Sequence, residues 1–232
     1  MPDFESTPPL RNEAVEKIGP YTFSQEGTGQ RLTQDPMLLA DFALPLKKED
    51  SVMDIGTGAG VIPLLLAWKS AVSEIVGVEI DGLAAELAVR NVEENRLASR
   101  IRIVKRDFRD LKEEFSEGSF SLVVSNPPYI KKGSGRVSPG KERAIARSEV
   151  HGELKELLAI SKYLIGKGGR VCYVFPVARL FEMLKEVREA GLKARRLRFI
   201  HTSPKKAAKL FLIEAGYGGE LFIEEPVYLP GC

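Results

Sequence analysis

The sequence predicts an α/β fold: a mostly parallel sheet with helices on both faces, ending in an antiparallel pair of strands. Three observations predict it. From Ser51 to Gly191, short apolar runs alternate with stretches of helical periodicity, the pattern that a parallel sheet with crossover helices produces. A glycine-rich turn, Gly56-Thr57-Gly58-Ala59-Gly60, joins the first apolar run to the first helical stretch. The last two runs, Leu192–Ile200 and Lys209–Ala215, are joined by a polar loop too short for a crossover, so they must pair antiparallel.

Each element has a local reason. Met1 to Gly19 is polar and proline-bearing, and reads as a loosely held lead-in. Tyr21-Thr22-Phe23 and Gln30-Arg31-Leu32 flank Gly27-Thr28-Gly29, which predicts a small hairpin. Asp35 followed by Pro36 predicts a helix with an acidic N-cap, running through Met37, Leu38, Leu39 and Phe42 and stopping before Pro45. Strands are predicted at Ser51–Ile55, Glu74–Ile80, Ile101–Lys105, Phe120–Val124 and Arg170–Phe175, and helices at Val61–Trp68 and Leu83–Glu94. His151–Ile165 carries one apolar face (Leu154, Leu157, Leu158, Leu164, Ile165), with Gly166-Lys167-Gly168-Gly169 as its stop. Leu180, Leu184 and Val187 mark a further helical face that Gly191 ends. The expected organisation is a lead-in over 1–19, a hairpin and helix over 20–50 packed on the ligand site, and a domain over 51–232 forming one globular unit with 20–50.

The totals limit the partners. With 232 residues, 44% hydrophobic and 28% charged, the chain suits one well-buried domain. A net charge of +2 means that any nucleic-acid contact must come from local clusters. Two cysteines, Cys172 and Cys232, make no disulfide framework and point to a reducing compartment. The start of the chain lacks a signal peptide's apolar core, and no apolar run is long enough for a bilayer, so a cytoplasmic protein with no membrane partner is expected. No Cys/His cluster has metal-ligand spacing, so no metal is expected.

The chemistry gathers at the ends of the apolar runs. Ser125-Asn126-Pro127-Pro128-Tyr129 follows the run Phe120–Val124, and its two prolines forbid ladder hydrogen bonds and end the strand. The Asn126 side-chain oxygen and the Pro127 carbonyl can accept both N–H bonds of an exocyclic amine, while Tyr129 stacks on the ring that carries it. Such an amine is a weak nucleophile because its lone pair is delocalised; two acceptors that draw it toward tetrahedral geometry free the lone pair. A plain strand-ending turn has the same residues, so the rest of the chain must decide. The glycines at 56, 58 and 60 do not fit the dinucleotide fingerprint G-x-G-x-x-G. Asp54 precedes them, where it would repel a pyrophosphate and suit a ligand carrying an ammonium and a sulfonium. Glu79 closes the next strand, where an acid accepts ribose hydroxyls. Asp107 follows the third, where it could accept from an adenine amino group.

In this order and spacing, Asp54-x-Gly56-x-Gly58-x-Gly60, Glu79, Asp107 and Asn126-Pro127-Pro128-Tyr129 resemble a class I S-adenosylmethionine-dependent methyltransferase of the amino-methylating group. The resemblance covers the chain from Ser51 onward. It implies a Rossmann-like fold with a seven-stranded sheet, S-adenosylmethionine as cofactor and S-adenosylhomocysteine as product. It also implies a cofactor site of Asp54, Gly56, Thr57, Gly58, Gly60, Glu79, Ile80, Asp107, Phe108 and Asn126, and a catalytic turn of Asn126, Pro127, Pro128 and Tyr129. Ala146-Arg147, Arg198-Phe199-Ile200-His201 with Ser203-Pro204, and Phe211-Leu212-Ile213-Glu214-Ala215 are similar to the family of the bacterial tRNA adenine-N6 methyltransferase that modifies the adenine beside the anticodon of valine tRNA. Thr33-Gln34-Asp35 with Leu38-Leu39 resembles that family's first helix, which closes over the cofactor.

Basic residues crowd two segments. Lys131, Lys132, Arg136, Lys141, Arg143 and Arg147 follow Tyr129, and Lys193, Arg195, Arg196, Arg198, His201, Lys205, Lys206 and Lys209 charge the terminal pair. They are expected to hold RNA phosphates, with Lys131, Lys132, Arg136, Arg147, Lys205 and Lys206 as substrate contacts, around a mobile Gly133-Ser134-Gly135 loop. Three rivals remain at this point. A glutamine methyltransferase of the release-factor type shares Asn-Pro-Pro-Tyr, but its sizeable N-terminal helical domain is missing here. A DNA adenine methyltransferase would need room for a target-recognition domain. An RNA-binding protein on the same fold would have lost the chemistry.

Overall fold

A computed structural model describes residues 13–26, 33–127 and 153–229. Seven long strands form the sheet: β3 (Ser51–Ile55), β4 (Glu74–Glu79), β5 (Ile101–Lys105), β6 (Phe120–Ser125), β7 (Ile165–Pro176), β8 (Lys193–His201) and β9 (Ala208–Gly216). They lie in the order β8-β9-β7-β6-β3-β4-β5, and the two-residue strands β10 (Phe222–Ile223) and β11 (Val227–Tyr228) run along the outer edge of β8. Neighbours from β5 to β7 are parallel. β9 is antiparallel to both β7 and β8, as the short terminal loop requires.

Alternation along the strands divides the core in two. Val52, Leu122, Val124, Cys172 and Val174 pack with helices α1 (Asp35–Phe42) and α2 (Val61–Lys69). Met53, Val123, Val171, Tyr173 and Phe175 pack with α4, residues 153–164, and α5 (Leu180–Glu189) on the opposite face. Strands buried on both faces in this way read as continuous apolar runs, which is why their spans were visible in the sequence. The helix α3 (Gly82–Glu94) starts at Asp81, whose side chain accepts from the Ala84 N–H at 2.9 Å.

Four local readings change. The strand Tyr21–Glu26 (β2) pairs with the upstream strand Glu13–Ile18 (β1), Ile18 opposite Tyr21; the downstream run that the sequence offered as its partner lies in residues 27–32, outside the described residues. The turn is Gly19-Pro20, with Gly19 at φ 57°, so part of the expected lead-in is a strand. Asp35 is the first residue of α1; Gln34 is the N-cap and no side chain caps the helix. α4 ends at residue 164, just ahead of Gly166-Lys167-Gly168-Gly169, as expected, but these four residues are not a loop. They lie within β7, where pairing with β6 jumps from Phe120–Ile165 to Leu122–Arg170, so the extra residues bulge between two paired points. Gln30-Arg31-Leu32, Cys232 and His151 lie outside the described residues.

The hairpin is held by an unusual device. Asn95 accepts the Thr22 N–H at 2.9 Å and donates to the Thr22 carbonyl at 2.7 Å. Asn91, one helical turn earlier on α3, does the same to Ser24, at 2.8 Å for both bonds. Two asparagines at i, i+4 on a helix thereby occupy alternate residues of a strand edge, standing in for a neighbouring strand and covering that edge.

Candidate active site

The site sits at the carboxyl ends of β3, β4, β5 and β6, and the register sets its heights. Asp54 pairs with Val124, so Gly56 and Asn126, each two residues further on, leave the sheet side by side, about 5 Å apart by strand spacing. Asp54 also pairs with Gly77, which brings Glu79 to the level of Gly56. Glu79 in turn pairs with Lys105, two residues before Asp107. From β3 the chain crosses to β4 and β5 on one side, then returns to β6 on the other. The Gly56 turn and Asn126 therefore flank the topological switch point, where open α/β sheets bind ligands.

All three glycines of the turn have left-handed backbone, with φ of 75° at Gly56, 56° at Gly58 and 87° at Gly60. Other residues are strained there. A Cβ at Gly56 or Gly58 would meet nothing within 4 Å, whereas one at Gly60 would touch Ala88 of α3 at 3.4 Å, an ordinary contact. The first two glycines thus leave space above the turn, and the third lies beside a helix. Glu79 clamps this turn: its Oε2 accepts the Gly58 N–H at 2.8 Å, and its Oε1 accepts those of Ile80 and Asp81 at 2.9 Å each. Three of a carboxylate's roughly four acceptor positions are taken, which leaves one for a ribose hydroxyl rather than two.

Asp54 is the anomaly. Its side chain is fully buried (0% exposed), and neither oxygen has a hydrogen-bond partner. Burial pushes its carboxyl up to about 7; the Thr57 hydroxyl opposes the shift without making a bond of regular geometry, and the Glu79 charge adds to it. A buried carboxylate without a partner costs stability. A cation above the glycine turn would relieve it through the field. The residues therefore fit a ligand with a sulfonium and an ammonium: open space over Gly56 and Gly58, a buried carboxyl beneath them whose ionised form a nearby cation would favour, and the Glu79 carboxylate level with Gly56.

Asp107 lies at the expected place, but its oxygens are engaged: Oδ1 accepts the Arg109 N–H and Oδ2 pairs with the Arg109 guanidinium, both at 3.0 Å. Phe108 beside it is half-buried and Ile80 is 63% exposed, so two apolar side chains border the edge between β4 and β5. Asn126 and Pro127 are half-buried. Pro128, Tyr129, Lys131, Lys132, Arg136 and Arg147 lie outside the described residues.

The terminal basic cluster divides. Arg196 donates to Glu214 at 2.7 Å, pairs with Glu224 at 3.0 Å, bonds the Phe42 carbonyl at 2.7 Å and stacks on the Phe42 ring. Arg198 pairs with Glu224 at 2.5 Å, and Arg195 bonds the Gly218 carbonyl at 2.5 Å. These arginines tie α1 and the C-terminal segment to the sheet. Lys193, Lys205, Lys206 and Lys209 remain exposed. Because β9 runs antiparallel to β7, with Leu210 opposite Pro176, the β8–β9 turn carrying Lys205 and Lys206 leaves the sheet at the same edge as the glycine turn.

Two contributors have no role in the sequence reading. Ser125 is buried and donates to the Ile55 carbonyl at 2.7 Å, tying the end of β6 to the residue before Gly56. Asn91, besides holding the hairpin, donates to the Ala59 carbonyl at 2.9 Å and so braces the glycine turn. The signal for Asn91 was an amide on the buried face of α3, among Ala85, Ala88 and Val92. Burial pushes the Cys172 thiol up to about 12, which removes it as a nucleophile. Among the described residues no group of His, Cys, Asp or Glu is placed to hold a metal ion, and no helix is long and apolar enough to cross a membrane.

Residues 33–151 match the family described as "Methyltransferase small domain". The chain belongs to this family. The tRNA1(Val) (adenine(37)-N6)-methyltransferase of Porphyromonas gingivalis strain W83 is 32% identical over 203 residues, covering 84% of this chain and 77% of the relative. The enzyme of the same name from Photobacterium profundum is 27% identical over 201 residues, covering 84% and 82%. Among solved structures, a "predicted O-methyltransferase" from Agrobacterium tumefaciens superposes with a TM-score of 0.66 at 21% identity over 84% of this chain and 86% of that one. TYW2 from M. jannaschii, in complex with AdoMet, gives 0.59 at 14% identity over 89% and 86%. At these identities the two structures establish the class I methyltransferase fold.

Proposed function

We propose that this methyltransferase transfers a methyl group from S-adenosylmethionine to the N6 amino group of an adenine in tRNA, in the cytoplasm. The observation that carries the reading is the orphaned Asp54 carboxylate under an open glycine turn, with Asn126 at the same height on the neighbouring strand. The names of the relatives support adenine in valine tRNA as the acceptor.

When bound, S-adenosylmethionine would supply an electrophilic methyl whose S–C bond breaks as the N–C bond forms, leaving the neutral thioether of S-adenosylhomocysteine, with one amino proton passing to water. The chain's own residues position the acceptor. The Asn126 side-chain oxygen and the Pro127 carbonyl accept the two amino hydrogens, hold the nitrogen in line and localise its lone pair; Pro128 fixes the turn and Tyr129 stacks on the base. Positioning of this kind accounts for most of the acceleration. Gly56, Thr57, Gly58 and Gly60 hold the methionine end, Glu79 the ribose, and Ile80, Asp107 and Phe108 the adenine of the cofactor. Lys205 and Lys206, with Lys131, Lys132, Arg136 and Arg147, contact phosphates.

The test is transfer of labelled methyl to unmodified tRNA, to DNA and to protein, followed by nucleoside and amino-acid analysis. Label in N6-methyladenosine from tRNA is expected. Label in glutamine, or in DNA alone, overturns the reading.

A further inference from the structure

We propose that Tyr228 and His201 form a stacking platform for an unpaired base of the RNA, next to the basic β8–β9 turn; this rests on the tRNA reading above. β11 pairs parallel with the end of β8, placing Tyr228 opposite His201. The two rings lie 5.4 Å apart at a tilt of 42°. Tyr228 keeps 47% of its surface exposed, while the backbone on either side is fixed. Val227 pairs with Ile200, and the Leu229 N–H donates to the His201 carbonyl at 2.8 Å, with Leu229 packed on the core. The phenol ring is therefore held in place with one side in solvent, the arrangement in which an aromatic stacks on a base at little entropic cost.

The second ring ties the platform to positive charge. His201 Nδ1 lies 2.8 Å from the Lys206 carbonyl. A carbonyl only accepts, so Nδ1 carries the proton and donates. That bond holds the turn bearing the exposed Lys205 and Lys206 beside the rings. Aromatic faces alternating with lysines are what single-stranded nucleic acid binds, base to ring and phosphate to ammonium. From β6, which ends at Ser125 just before Asn126, to β11, which carries Tyr228 along the outer edge of β8, there are four strand spacings, about 19 Å. The platform accordingly takes a base a few nucleotides from the target adenine, at the same edge of the sheet. No apolar residue of the core depends on the exposed side of Tyr228, which separates this ring from the buried aromatics Tyr173 and Phe175.

The test uses the full chain and an unmodified valine tRNA transcript. Tyr228→Ala is expected to weaken tRNA binding roughly 5- to 150-fold, with Tyr228→Phe close to wild type and His201→Ala intermediate. S-adenosylmethionine affinity, melting temperature and the single-turnover rate at saturating tRNA should not change. The salt slope of binding should also be preserved in Tyr228→Ala, because stacking releases no counterions, while Lys205→Glu with Lys206→Glu should flatten it. Binding by Tyr228→Ala within twofold of wild type overturns the platform, as does a loss accompanied by a lower melting temperature or weaker cofactor binding. A wild-type protein that binds and methylates no tRNA overturns the functional reading itself, a result seen before any variant is made.

Discussion

Asp54 and Glu214 are both acidic residues buried in the same sheet, and they are treated in opposite ways. Glu214 is 7% exposed and accepts from Arg196 at 2.7 and 3.0 Å and from Arg170 at 3.2 Å. Arg170 extends the network to the carbonyls of Ala43 and Pro45. Asp54 is 0% exposed and has no hydrogen-bond partner. A folded chain that satisfies one buried acid so fully and leaves another bare has not lacked the means to pair it. The satisfied acid is part of the scaffold; the bare one is, in the function proposed above, the one that faces a cationic ligand. The terminal strands likewise carry more than a count of charges shows, since Arg196 and Arg198 are paired with Glu214 and Glu224.

Breaking the scaffold acid should give the largest effect on stability. Glu214→Ala leaves two partly buried arginines without their shared partner, and should cost roughly 3–5 kcal/mol, lowering the melting temperature by about 6–20 °C. In protein that remains folded, cofactor affinity should change little. A thermal melt with a parallel binding titration checks both halves.

At the ligand site the pattern should reverse. Asn126→Ala should slow single-turnover transfer by about 100-fold or more, as when a preorganised group acting in the transition state is removed. Melting temperature should move by under about 2 °C. A variant transferring at the wild-type rate would reduce the Asn126 turn to a strand end. Asn91→Ala lies between the two regions, because it bonds both the hairpin and the glycine turn. It should cost roughly 1–3 kcal/mol for the buried groups left unpaired and also weaken S-adenosylmethionine binding. A stability loss with unchanged cofactor affinity would make Asn91 a brace for the hairpin alone.

The sequence revealed what depends on periodicity and on backbone chemistry. Strands buried on both faces announced themselves as apolar runs, and Gly56, Gly58 and Gly60 announced a turn because left-handed backbone selects glycine. Asp54, Glu79 and Asn126 stood out because each lies at the end of an apolar run, and the parallel register does bring those strand ends to one edge. What stayed hidden depended on partners. The partner of β2 was a polar segment upstream with no strand signature of its own. Gly166 and Gly169 look like a helix stop, yet the sheet absorbs them as a bulge. Nothing in the spacing of Asp107 reveals that Arg109 occupies it, and nothing in the order of charges reveals that Glu214 and Glu224 neutralise Arg196 and Arg198. That Tyr228 meets His201 requires knowing that the C-terminal segment turns back along β8.

Asp54 gives the pH dependence. Its folded pKa is raised from 3.8 to about 7. Below about pH 4 it is protonated in folded and unfolded chains alike, and its full contribution to stability is present. As pH rises the unfolded chain ionises first, so the empty protein loses stability until pH passes about 7. Cofactor affinity should run the other way, weakening as pH falls below about 7 and the buried charge is lost.

The most direct measurement is therefore the melting temperature of wild type and Asp54→Asn at pH 8, each with and without S-adenosylmethionine. For wild type, ligand at about one hundred times its Kd should add roughly 2.7 kcal/mol, or about 5–10 °C. The account predicts that empty Asp54→Asn melts higher than empty wild type and that the same ligand concentration raises it by much less. An Asp54→Asn protein that melts lower when empty and keeps the full ligand shift would contradict it.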